Sequence, residues 1–184
     1  MTRSALYREP VPVNPALQRD KRVGQLTDFS VATGLHAVYV AAAEFEHAAL
    51  EYVIVFVPTG ADSAAGKRRM APFVPLGLDH GENLFVGSAR WDARYMPAFI
   101  QHGPFWAADL PGGTAVAPNS LFAVDPEKLH ALPDATVVDL HRNGTLGLLQ
   151  MHALSLANLR PLIVRKLSRL AADPAASRRL SHER

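Results

Sequence analysis

The clearest pattern in the chain is the unbroken apolar run Tyr52-Val53-Ile54-Val55-Phe56-Val57, closed by Pro58. A short β-branched run without alternation predicts a strand buried on both faces. Ala37–Val40 predicts a second strand, and Ala42–Leu50 a short helix between the two. Thr59–Arg69 is polar and small, with a Lys67-Arg68-Arg69 tip, as in an exposed hairpin connection. Phe73–Leu78 and Leu84–Val86 predict two further strands, joined by a turn over Asp79-His80-Gly81-Glu82-Asn83. Within Arg90–Gln101, Pro97 fits the first turn of a short helix that His102-Gly103-Pro104 stops. Phe105–Ala108, Thr114–Ala117 and Leu121–Val124 are short strand candidates between Pro-Gly-Gly and Pro-Asn-Ser turns.

The last third changes to a helical period. Asp125-Pro126-Glu127 places a capping carboxylate before a proline at the first helical position, which predicts a brief helix. A second runs from Pro133 to Arg142 and ends at Asn143-Gly144, a left-handed cap pair. From Thr145 a long helix is apolar almost all round, which predicts burial. Pro161 must kink it or begin a new helix capped by Asn158. From Pro161 to Ala172 the pattern is amphipathic, with Leu162, Ile163, Lys166, Leu167 and Leu170. With no internal repeat and no second core, the prediction is an α+β fold. It is a single domain with a mostly antiparallel sheet and C-terminal helices packed on it, spanning residues 23–170. An extended, proline-punctuated arm (1–22) and a basic, flexible tail (171–184) flank it.

The chain has 184 residues, 14 prolines and no cysteine. Disulfides, thiolate nucleophiles and thiolate metal sites are therefore excluded. The net charge of +2 conceals an uneven distribution. Residues 1–22 carry +3, residues 23–159 carry −6, and residues 160–184 carry +5. Basic ends can meet nucleic acid or anionic lipid, or pair with the acidic body and aid solubility. No aromatic or glycine pattern accompanies the arginines, so nucleic acid is the weaker expectation. Arg3 and Arg8 are followed by prolines rather than an apolar segment, which predicts no secretory leader and a cytoplasmic location; a dedicated exporter is the other route. Asn143–Leu159 has no formal charge but is too short and too polar for a span, so no membrane span is expected.

Three places could carry chemistry. His80 and Glu82, with Asn83, sit in a turn between strands, where a histidine beside carboxylates could act as a general base; the alternative is a turn whose acids cap backbone amides. On the long helix His152, Ser155 and Asn158 step by three and form one polar stripe. They either orient the helix against the sheet by internal hydrogen bonds or line a pocket with His152 as proton donor or acceptor. Trp91, Tyr95, Phe99, Phe105 and Trp106 are either core or a stacking platform. Glu44-x-x-His47 has the spacing of a helical ligand pair, yet occurs once and outside an all-α bundle; a solvated helix face explains it. No His-Glu-x-x-His, nucleophile elbow or phosphate loop is present, so no metal and no cofactor are expected.

Three blocks in order resemble the SapC family of bacterial proteins. The first is Ala43-Glu44-Phe45 with Glu51-Tyr52-Val53-Ile54-Val55-Phe56. The second is Leu76-Gly77-Leu78, Gly81-Glu82-Asn83-Leu84-Phe85-Val86, Trp91, Arg94-Tyr95-Met96-Pro97 and Gly103-Pro104-Phe105. The third is Val124-Asp125, Leu129, Ala131-Leu132, Gly144 and Leu148 through Leu156-Ala157-Asn158-Leu159. The resemblance implies a longer, acidic and helical segment between the second and third blocks, where this chain has a short bridge over 107–121. It implies no catalytic residue; the family takes its name from a bacterial surface-array locus.

These readings together predict a non-enzymatic binding or accessory protein for a peptide, protein or small ligand. The expected surface is the 79–83 turn with Trp91, Tyr95 and the rest of the aromatic stretch, above the stripe of His152, Ser155 and Asn158. The alternatives are a metal-dependent or His/Glu-dependent enzyme using His80, Glu82 and His152, and a structural surface-layer protein. The oligomeric state stays open.

Overall fold

The computed structural model describes residues 12, 14–20, 22, 26–59, 69–101 and 121–172. Its centre is a three-stranded antiparallel sheet of β1 (Ala37–Tyr39), β2 (Val55–Pro58) and β3 (Met70–Pro75), in the order β1-β3-β2. β2 and β3 form the expected hairpin, with Val55 opposite Phe73 and Pro58 opposite Met70. The Thr59 amide donates to the Arg69 carbonyl at the root of its connection. On the other edge of β2 a single bridge joins Phe56 to Phe122, so the expected strand Leu121–Val124 is reduced to one pair of residues. The expected strands Phe105–Ala108 and Thr114–Ala117 lie outside the described residues.

Strand alternation sorts the core onto two faces. Val38, Val40, Ile54, Val74 and Leu76 join Phe45, Tyr52, Phe85 and Leu162 on one. Val53, Val55, Val57, Ala71 and Phe73 form the other. Each such side chain contributes about 1.5–3 kcal/mol when fully buried. The run 52–57 is thus buried on both sides, as its composition requires. The partner strand begins at Met70 rather than Phe73, because the β2 register extends the ladder back to the hairpin root. Leu84–Val86 supplies only the start of a separate ribbon, β4 (Val86–Gly87) with β5 (Arg90–Trp91). Its two-residue turn puts Ser88 and Ala89 at φ 49° and 61°, in the left-handed region that hairpin twist demands.

The helices are α1 (Pro15–Gln18), α2 (Phe45–Ala48), α3 (Ala98–Gln101), α4 (Pro126–His130), α5 (Asp134–Arg142), α6 (Thr145–Ser155) and α7 (Leu159–Ala172). α1, capped by Asn14, is a turn of helix inside the stretch read as extended. The helix expected over Ala42–Leu50 begins as a 3-10 turn, Ala42–Glu44, and is α-helical only in α2. Pro97 stands just before α3, and the Asp125 carboxylate accepts from the Glu127 and Lys128 amides at the start of α4. Gly144 takes φ 78° between α5 and α6, as the Asn-Gly pair predicts. A 3-10 turn, Leu156–Asn158, links α6 to α7, and Pro161 falls in the first turn of α7, where its missing amide costs nothing. Asn158 does not cap α7: its amide donates to the Ala49 and Tyr52 carbonyls.

The expectation that α6 is buried all round fails. Its fully buried residues are His152 and Ser155, while Leu154 is 73% exposed. In α7 only Leu162 is buried. The sheet covers one side of this helical pair, and the side it covers is the one whose polar groups can reach the backbone of residues 49–54. No helix among the described residues is long and apolar enough to cross a membrane.

Candidate functional site

The first cluster ties the end of the first block to the second. Glu44 is buried, which corrects the expectation of a solvated helix face. Its Oε2 accepts from the Ala41 amide at 2.7 Å, and its Oε1 accepts from the Tyr95 hydroxyl and the Ala98 amide, both at 2.7 Å. Three donors on a buried carboxylate compensate its lost hydration. Glu51 accepts from the next amides along, Arg94 at 2.9 Å and Tyr95 at 2.6 Å. The Tyr52 hydroxyl donates to the Tyr95 carbonyl, and the Trp91 indole N–H lies 3.1 Å from both oxygens. Burial raises both tyrosines well above the ordinary phenol range; at Tyr95 the Glu44 carboxylate adds to that. Trp91, Tyr95 and Phe99 pack against the core, and the His47 ring stacks on Tyr95 at 5.4 Å. Phe105 and Trp106 lie outside the described residues.

The second cluster is the 79–83 turn. Glu82 Oε2 accepts from the Leu78 and Asp79 amides, at 3.2 and 3.3 Å, and Oε1 accepts from Lys166 at 2.7 Å. Lys166 also donates to Asp79 at 2.5 Å. Burial alone would lower this lysine, but its bonds to Asp79 and Glu82 and their charges outweigh it and hold the ammonium above its usual value. Asn83 is buried, donates to the Ala32 carbonyl and accepts from the Phe85 amide, each at 2.9 Å. Arg169 donates to the Asn83 and Val86 carbonyls at 2.7 and 2.8 Å. Arg165 pairs with Asp92 at 2.5 Å and lies 4.6 Å over the Phe85 ring. Arg165, Lys166 and Arg169 therefore dock α7 onto this loop and the ribbon beside it. His80 is exposed, with its ring 4.7 Å from that of His36.

The third cluster is the helical stripe. His152 Nδ1 lies 2.9 Å from the Ile54 carbonyl, and Nε2 accepts from the Val124 amide at 2.9 Å. This pattern assigns the proton to Nδ1 in a neutral ring. Burial holds its pKa below the ordinary histidine value, against the smaller opposing effect of the Ile54 bond. The Ser155 hydroxyl accepts from the Ile54 amide at 2.9 Å and donates to the His152 carbonyl at 2.6 Å. Two side chains one turn apart thus satisfy both backbone groups of Ile54, where the run enters β2.

By their hydrogen bonds the predicted residues sort into three groups: His80, Glu82 and Asn83; Trp91 and Tyr95; and His152, Ser155 and Asn158, the last linked to the second through Tyr52. Among the described residues, His80, Glu82 and His152 share no hydrogen-bond partner. Glu82 takes the amide-capping role, and the stripe bonds the helix to the backbone of residues 49–54 and 124. Among the described residues no three His, Asp or Glu side chains gather as a metal set. Sequence reasoning missed Glu44 and Glu51 as anchors, and Arg165, Lys166 and Arg169 as the clasp. The signal for the clasp was present in the acidic body and basic end.

The SapC family model matches this chain over residues 13–116 and 106–162. The two stretches meet where the sequence carries its short proline- and glycine-rich bridge. No curated protein and no solved structure matches.

Proposed function

This chain belongs to the SapC family, and we propose that it acts there as a non-enzymatic binding or accessory protein that presents a rigid surface to a protein partner. One observation carries the reading: α6 and α7 turn polar groups inward beside Met151, Leu156 and Leu162, and leave large apolar side chains outside. His152, Ser155, Asn158, Arg165, Lys166 and Arg169 point inward to bonds with the body. Leu154, Leu159, Ile163, Val164 and Leu167 point outward, between 41% and 73% exposed. Exposed large apolar side chains gathered on one helical pair are the kind of surface that marks interaction sites, whereas polar groups already bonded to backbone are poorly placed for turnover. In this reading Glu82, Asn83, Trp91, Tyr95, His152, Ser155 and Asn158 are positioning residues, and His80 is the one candidate that faces solvent.

Affinity capture of the chain from its own cells, with mass spectrometry of the protein and metabolite fractions, tests the class. A stoichiometric protein partner is expected. A chain recovered alone with a bound metabolite or metal would overturn the reading in favour of an enzyme.

A further inference from the structure

We propose that the outward face of α6 and α7 is a docking seam for an acidic amphipathic helix of a partner protein. The inference rests on the binding reading above and names the occupant. Ala153, Ala157, Arg160, Val164, Leu167 and Ala171 are all exposed and follow one another at steps of four and three. That 3.5-residue period keeps one stripe facing a straight partner helix. From 153 to 171 the stripe is about 27 Å long at 1.5 Å per residue. Leu154 and Ile163 flank it, both exposed. The seam continues across the 3-10 turn because the inward bonds of Ser155, Asn158 and Lys166 fix the opposite side of both helices.

Charge selects the occupant. From Leu140 to Ala172 the sequence has no acidic residue and five cations. Arg165, Lys166 and Arg169 are taken up by Asp92, Asp79, Glu82 and the carbonyls of Asn83 and Val86. Arg160, in the middle of the seam, forms no ion pair with any described residue and is exposed. A partner helix with apolar seam positions and an Asp or Glu facing Arg160 complements this surface. A second copy does not: antiparallel pairing along the whole seam sets Arg160 opposite Val164 and brings the two Arg160 side chains to about one turn of each other. A lipid surface fits less well. Interfacial helices present bulky Trp, Phe and Leu to the bilayer, while half of this seam is alanine, which lets another helix approach closely.

Site-specific photocrosslinking in the native cells tests the seam. p-Benzoylphenylalanine is placed at Ala157, at Val164 and, as a control on the loop face, at His80, and each crosslinked peptide is sequenced. Unchanged melting temperatures show which variants fold, and either seam position suffices. The expected result is a crosslink from 157 or 164 to a helical segment rich in Asp and Glu, with the yield reduced about tenfold by Arg160→Glu. Crosslinks only to lipid, to a second copy or to other residues of this chain would overturn the proposal. Crosslinks to a protein from His80 alone would also overturn the seam while leaving the binding reading intact. No protein crosslink from any position would remove both.

Discussion

Replacing His152 with Leu isolates what the buried stripe contributes. The two side chains are similar in volume, so the site 5.0 Å from the Phe56 ring stays filled. The substitution removes the donor to the Ile54 carbonyl and the acceptor of the Val124 amide. An orphaned buried backbone group costs about 1–3 kcal/mol. Ile54 is fully buried, whereas Val124 is partly exposed and water can reach its amide. A net loss of about 3 kcal/mol is expected, with a fall of roughly 6–12 °C in melting temperature for a domain of this size. Urea unfolding should show a lower midpoint at an unchanged slope.

The pH dependence supplies an independent check. Burial of the ring holds the folded pKa of His152 below 6.5, and a second proton would also set Nε2–H against the Val124 N–H. Below 6.5 the unfolded chain binds more protons than the folded one, so unfolding free energy rises with pH through that window. His152 thus contributes stability that is complete above 6.5 and lost as pH falls through the folded value. The Leu variant should lack this component of the acid slope. A variant within 0.5 kcal/mol of the parent, or one with the parent's slope below pH 6.5, would refute the assignment of His152 to the backbone of Ile54 and Val124.

Further substitutions probe the clasp and the turns. Lys166→Met leaves Asp79 and Glu82 facing an apolar chain and should cost about 2 kcal/mol in urea melts. The parent's stability should fall as pH rises past 10.5 through the raised folded pKa of Lys166, and the variant should lose that component. Gly77→Ala would place a Cβ 2.2 Å from the Glu82 carbonyl oxygen. The backbone under the clasp must shift, so a loss of about 1–3 kcal/mol is expected, and a neutral result would contradict that close approach. Ser88→Asn with Ala89→Gly supplies residues that tolerate the left-handed turn of the β4–β5 ribbon and should raise the melting temperature, by about 1–2 kcal/mol of stability.

Legibility in the sequence followed the range of the forces involved. The 52–57 run, the Asp125-Pro126 start, Pro97 before α3 and the Gly144 turn were readable because each is fixed by its own residues. Boundaries set by pairing were not: β3 starts at Met70 because of its register with β2, a contact between distant residues. The greatest departure is the polarity of α6 and α7. An amphipathic pattern says that a helix has two faces and leaves open which one the rest of the chain takes up. Here the inward face is decided by Glu82, Asp79 and Asp92, seventy to ninety residues away, and by backbone groups at Ala49, Tyr52 and Ile54. In the candidate site the stripe stands out by its spacing, and the 79–83 turn by its turn residues and its place between two strands. Their roles as anchors became visible only with their partners. Glu44 reads as part of a solvated helix face because a lone Glu-x-x-His pair resembles a surface feature until Tyr95 and Ala98 are placed against it.

Under the binding reading, the inner face of α6 and α7 holds the fold and the outer face meets a partner. Leu167→Asp tests it most directly, measured as captured partner per chain alongside the melting temperature. Leu167 is 59% exposed and makes no inward bond, so the melting temperature should stay within about 2 °C, since surface changes lie within ±0.5 kcal/mol, while the partner is lost. A partner retained at full stoichiometry by a folded Leu167→Asp chain would contradict the account.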